Sequence, residues 1–186
     1  MRRLFPKSYS IHVQRLRVPS GFLLAAVFLF LADPTWLSLL LGLPFSAAGL
    51  ALRSWAAGHL RKDEALVASG PYGWTRNPLY LGTFLIALGC AIASAELAVV
   101  AAVFALFFLI YLPVMEQEEE HLLKLFPGYE EYASSVPLLL PKPPPSPSPL
   151  SYQAGLWRRN KEWKAWYAFL AVEVFLLAWV LISSWQ

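Results

Sequence analysis

Residues 70–82 read GPYGWTRNPLYLG, and the reading of this stretch decides the fold. Gly70-Pro71 is a turn signal. Asn77-Pro78 is a helix start, with Asn at the N-cap and Pro at the first helical position, where its missing N–H costs nothing. An apolar run from Leu79 to Ala93 follows at once, so this helix begins at a membrane surface. Its free N–H groups and positive dipole end point back into the loop, a position suited to a carboxylate or phosphate, with Arg76 beside it.

Outward from that stretch the chain is unusually apolar. Of its 186 residues 58% are hydrophobic and eight are Trp, which sets it apart from average soluble domains and marks a single-domain membrane protein. The net charge of +3 is small and no basic stripe interleaves with aromatics, so nucleic acid is not an expected partner. The single cysteine, Cys90, excludes a disulfide framework and a cysteine-based metal site. The basic tail MRRLFPKSYSIHVQRLR precedes an apolar stretch without a small-x-small cleavage site, as in an uncleaved anchor.

Five apolar segments approach the roughly 20 residues that a bilayer-spanning helix needs. They run from about Val18 to Ala32, Trp36 to Gly58, Leu79 to Ala93, Leu97 to Leu112 and Ala165 to Ser184. The second carries Pro44 and also Arg53, which lies near enough to its end to snorkel. The third and fourth form a hairpin, with Gly82, Gly89 and Ala93 on one face of the third for close helix contact. Residues 116–125 read as an amphipathic helix on the membrane surface, and residues 137–149 as a Pro-rich extended linker. The linker leaves open whether the last helix docks in the same bundle or on a neighbour. The fifteen Lys and Arg avoid the outer turns and the C-terminus, which predicts a cytoplasmic N-terminus and an outer C-terminus.

The sequence holds no P-loop, GxGxxG, HExxH or GxSxG, so candidate chemistry rests on two polar stretches that share one compartment. One is the Gly70–Gly82 stretch. The other is the acidic run Glu116, Glu118, Glu119 and Glu120, in which Glu118 shares a helix face with Leu122 and Leu125. Tyr129 and Tyr132 share a face as well. His12, His59 and His121 have no ligand spacing and read as interfacial polar residues, and no metal site is expected. Glu173, near the middle of the last helix, calls for a hydrogen-bond partner within the bundle.

Read together, the motifs resemble the isoprenylcysteine carboxyl methyltransferase family and its bacterial relatives, the wider group that includes phospholipid N-methyltransferases. The matching residues are Leu66-Val67, Gly70-Pro71-Tyr72, Arg76-Asn77-Pro78-Leu79-Tyr80-Leu81-Gly82, Glu118-Glu119, Leu122, Tyr129, Tyr132 and Val136-Pro137, within about residues 50–140. The resemblance implies an all-α membrane protein of the bacterial inner membrane. It implies S-adenosylmethionine as cofactor, bound from the cytoplasm, and a lipophilic small-molecule or lipid acceptor entering from the bilayer. Carried over by position, the cofactor contacts are Glu64, Ala65, Leu66, Val67, Tyr72, Arg76, Asn77, Pro78, Leu79, Tyr80 and Glu118. The chain departs from the prenylcysteine branch at Asn77, where His is common, and near Val114, where an arginine precedes the Glu pair. The acceptor, any catalytic base and the oligomeric state stay open. So do two rival readings: a non-catalytic lipid-binding relative, and an NADPH-dependent membrane reductase of the sterol type.

Overall fold

A computed structural model describes residues 4–144 and 152–185. Regular structure in them is helical: α1 (Lys7–Leu31), α2 (Trp36–Ala57), α3 (Pro78–Ala93), α4 (Leu97–Leu125), α5 (Tyr129–Ser135), α6 (Ala154–Arg159) and α7 (Trp163–Ser183). A 3-10 turn covers Gly70–Gly73. Four helices, α1, α2, α4 and α7, are long and apolar enough to cross a membrane. At 16 residues α3 falls short of that length, with a rise of about 24 Å. The five apolar segments are therefore all present as helices, and four of them reach spanning length.

α2 and α3 form the tightest pair. Gly42 and Gly49 of α2 face Gly89 and Gly82 of α3, and a Cβ on Gly49 would lie 2.7 Å from the Ile86 backbone nitrogen. Small residues on both helices let the backbones approach, and buried hydroxyls fill the seam: Ser38 Oγ donates to the Ala93 carbonyl at 2.8 Å and Ser46 Oγ to that of Ile86 at 3.4 Å. Thr35 and Ser38 close a reciprocal capping box that fixes where α2 begins. Gly49→Leu is expected to force the two helices apart and to cost ~1–3 kcal/mol by overpacking. A fall in the thermal midpoint in mild detergent measures it.

Two expectations are corrected. α1 does not begin at Val18; the polar tail is helical from Lys7, with Pro19 inside the helix. Tertiary bonds hold that polar half on α4: the backbone N–H groups of Leu4 and Phe5 donate to the Glu116 carboxylate at 2.9 and 3.3 Å. α4 is likewise continuous, so residues 116–125 extend a spanning helix rather than forming a separate surface one. Pro113 lacks the N–H that would bond Leu109, and the helix widens to π geometry over Phe107–Tyr111. Tyr9 Oη donates to the freed Leu109 carbonyl at 2.8 Å. The start of the Pro-rich stretch has neither helix nor strand and is pinned: Arg76 N donates to the Pro137 carbonyl and Lys142 N to that of Trp74, both at 2.9 Å. Residues 145–149 of that stretch lie outside the described residues.

The last helix docks in its own bundle. Leu176 and Val180 are buried with Phe28, Leu39, Ala91, Val99 and Val103. Near its start Glu162, 4% exposed, receives Arg53 Nε at 2.7 Å and Nη2 at 2.9 Å. Arg53 therefore does not snorkel into water; it clamps α7 to α2. Glu162→Ala is expected to cost about 2 kcal/mol, the loss of a charge-assisted bidentate bond partly compensated by the donation of Arg53 to Leu79 and Thr83, readable as a lowered thermal midpoint. Glu173 is half-buried and has no hydrogen bond among the described residues, so the bundle partner expected for it is not found.

Candidate cofactor and acceptor cavity

Between α1, the loop of residues 59–77, the first turn of α3 and the charged end of α4 lies a cavity of about 900 Å³. The Gly70–Gly82 stretch supplies its floor. Pro78 starts α3 as expected, and Asn77 stands at the N-cap. The Asn77 side chain does not cap, however; its Nδ2 donates to the Leu138 carbonyl at 3.1 Å. The first N–H groups of α3, at Leu79 and Tyr80, have no intrahelical acceptor, and both residues line the cavity.

Ala65, Leu66, Val67, Tyr72, Arg76, Asn77, Pro78, Leu79, Tyr80 and Glu118 all line this one cavity. Glu64 does not. It is exposed and ion-paired to Arg159, whose guanidinium holds its carboxyl below the ordinary range. Leu122 lines the cavity with Glu118, as the shared helix face predicts, whereas Leu125 points elsewhere.

The acidic run resolves into separate tasks. Glu116 accepts from the backbone of Leu4 and Phe5, as above. Glu118 accepts from Tyr80 Oη at 2.7 Å and lies 3.6 Å from Arg17. Glu119 is buried, 3.0 Å from Arg76 Nε, and accepts from Tyr129 Oη at 3.2 Å. Arg76 thus borders the cavity with its guanidinium committed to Glu119 and, through Nη1, to the Ala133 carbonyl at 3.2 Å. Tyr129 and Tyr132 are both buried and line the cavity, and Tyr132 Oη donates to the Tyr72 carbonyl at 2.7 Å. Burial pushes the phenols of Tyr72, Tyr129 and Tyr132 well above their ordinary range, so they stay protonated donors.

Among the described residues, two buried polar atoms on the cavity wall, Tyr72 Oη and Gln117 Oε1, have no hydrogen-bond partner. Buried polar groups are normally satisfied, so these two call for a partner beyond the protein's own groups, a water or a ligand. His59 is buried rather than interfacial, its Nδ1 2.9 Å from the Trp55 carbonyl oxygen. Its ring abuts Gly70, whose φ of +58° and lack of a Cβ allow the contact. His121 lies at the cavity rim, 3.6 Å from Asp63. Among the described residues no three His, Cys, Asp or Glu converge as a metal site.

Sequence reasoning missed the wall contributed by α1. Lys7, Gln14 and Arg17 all face the cavity. Their spacing of seven and then three residues places them on one helical face, a signal present in the tail once it is read as helix rather than as a topological anchor.

Four apolar helices of spanning length mark an integral membrane protein. The chain belongs to the phospholipid methyltransferase family, whose model matches residues 45–128, inside the wider isoprenylcysteine carboxyl methyltransferase-like group. It is 39% identical over 115 residues to the cobalt-zinc-cadmium resistance protein CzcN of Cupriavidus metallidurans, covering 59% of this chain and 53% of that protein. It is 30% identical over 164 residues to the nickel-cobalt-cadmium resistance protein NccN of Alcaligenes xylosoxydans xylosoxydans, covering 82% of this chain and 75% of the relative. The chain therefore spans about half the length of the first relative and three quarters of the second. No solved structure matches it significantly.

Proposed function

We propose that this protein transfers a methyl group from S-adenosylmethionine to a small lipophilic or lipid-linked acceptor that reaches the cavity from the bilayer. The observation that carries this reading is the convergence on one cavity of the family motif residues and two orphaned buried polar atoms, Tyr72 Oη and Gln117 Oε1. The donor set fits the cofactor. The N–H groups of Leu79 and Tyr80 at the start of α3 suit its carboxylate, and Glu118 its ammonium. The rings of Tyr72, Tyr129 and Tyr132 suit a sulfonium by cation–π attraction. Ala65 to Val67 offer backbone groups and apolar side chains for the remainder.

When bound, the cofactor supplies an activated methyl for in-line displacement by an acceptor lone pair. The residues of this chain bind, orient and exclude water, and such positioning provides most of the acceleration in a displacement of this type. Tyr80 keeps Glu118 turned into the cavity, and Arg76 with Glu119 holds α5 as its lid. A carboxylate acceptor needs no base. For an amine acceptor, His121, which lines the cavity beside Asp63, is a candidate to take the proton.

The charge distribution supports a cytoplasmic N-terminus and a cavity open to the cytoplasm. The metal resistance named for the two relatives is read here as indirect, acting through a methylated membrane component. The test is incubation of membranes containing the protein with methyl-tritiated S-adenosylmethionine, followed by lipid extraction. Label is expected in the lipid fraction with the natural protein and not with Glu118→Ala. Equal label in both sinks the assignment.

A further inference from the structure

Arg17 is a cavity residue that lies outside the family motifs. It sits on the face of α1 that also carries Lys7 and Gln14, and all three line the cavity. Its Nη1 donates to Tyr80 Oη at 3.1 Å and lies 3.6 Å from Glu118 Oε1, the oxygen that Tyr80 Oη itself binds at 2.7 Å. The side chains of Arg17 and Glu118 are 39% and 46% exposed, so this is an open pair on the cavity wall rather than a sealed structural one. A guanidinium has five donors in a planar fork, and the two contacts here use a single nitrogen. Arg17 also stands at a boundary. Immediately beyond it α1 turns apolar, and Val18, Phe22 and Leu23 expose hydrocarbon on the outside of the bundle.

We propose that Arg17 recognises the acceptor by binding an acidic group, carboxylate or phosphate, on an amphiphile whose chain lies along the apolar half of α1. This rests on the proposed function, because Glu118 is there assigned to the ammonium of the cofactor. A Glu118 carboxylate neutralised by an ammonium holds Arg17 less strongly and frees its fork for a second anion. Cofactor and acidic acceptor therefore bind cooperatively. By linkage each tightens the other.

The test uses the full-length protein in mild detergent, with thermal unfolding and tryptophan fluorescence as readouts. The probes are oleate, 1-oleoyl lysophosphatidate and uncharged monoolein, each with and without S-adenosylhomocysteine. At least one acidic probe is expected to bind more tightly than monoolein, and more tightly still with the adenosyl compound present. Arg17→Gln is expected to weaken that probe by about tenfold, the typical effect of losing a charge-assisted bond, and to leave monoolein unaffected. Preference for oleate identifies a carboxylate, and preference for lysophosphatidate a phosphate. Arg17→Lys keeps the charge without the fork, is expected to fall between the two, and serves if the glutamine variant does not fold. If S-adenosylhomocysteine stabilises the protein but Arg17→Gln binds the acidic probes as the natural protein does, the inference is wrong and the proposed function stands. If the adenosyl compound stabilises nothing, both fall.

Discussion

Replacing Arg76 by leucine is expected to lower the stability of the folded protein by at least about 3 kcal/mol, because it strands a buried carboxylate. Arg76 and Glu119 lie 3.0 Å apart with side chains only 10% and 8% exposed, and Tyr129 completes the group by donating to Glu119. Arg76 also donates to the Ala133 carbonyl, so the same side chain holds α5 over the cavity. Glu119→Gln should cost less, about 1–2 kcal/mol, since the amide oxygen still accepts hydrogen bonds and Arg76, though it loses its counter-charge, keeps its bond to the Ala133 carbonyl. Thermal unfolding in detergent orders the two variants. A leucine variant as stable as the natural protein would show that the pair does not anchor this region.

The second large effect is expected on binding rather than on stability. Glu118→Ala should weaken S-adenosylhomocysteine by tenfold to hundredfold, roughly the free energy of one charged hydrogen bond. Its side chain is 46% exposed, so folding should change little. Tyr80→Phe removes the 2.7 Å bond that orients Glu118 and should produce a smaller loss in the same direction. Ligand-dependent thermal shifts across a concentration series separate these outcomes. Equal affinity in all three proteins would move the ammonium site away from Glu118.

These two predictions also mark what local sequence can and cannot reveal. The floor of the cavity was legible because Asn77-Pro78 encodes a helix start within a few residues, and the structure puts Pro78, Leu79 and Tyr80 where that reading requires. Glu118 was legible from helical spacing with Leu122. The pairing of Glu119 with Arg76 was not, since it joins α4 to the residue before α3 and depends on how those elements pack. Glu64 was assigned by position alone, and only the return of the chain through α6 shows Arg159 drawing it outward. The α1 wall was obscured because Lys7 to Arg17 has the composition of a topological anchor. Its helical state follows from contacts with Leu109 and Glu116, about a hundred residues away. Continuity of α4 was hidden for the opposite reason. Pro113 is a local breaker that this fold absorbs by widening the helix and satisfying Leu109 from Tyr9.

The central claim is that the cavity between α1, α3 and α4 binds an adenosyl cofactor. Its most direct measurement is the thermal unfolding of the purified protein with S-adenosylmethionine, S-adenosylhomocysteine or NADPH. A ligand at a hundred times its dissociation constant adds ~2.7 kcal/mol to apparent stability. The account predicts a shift of that order with both adenosyl compounds, reduced in Glu118→Ala and absent with NADPH. A shift with NADPH alone, or none with any of the three, would contradict it.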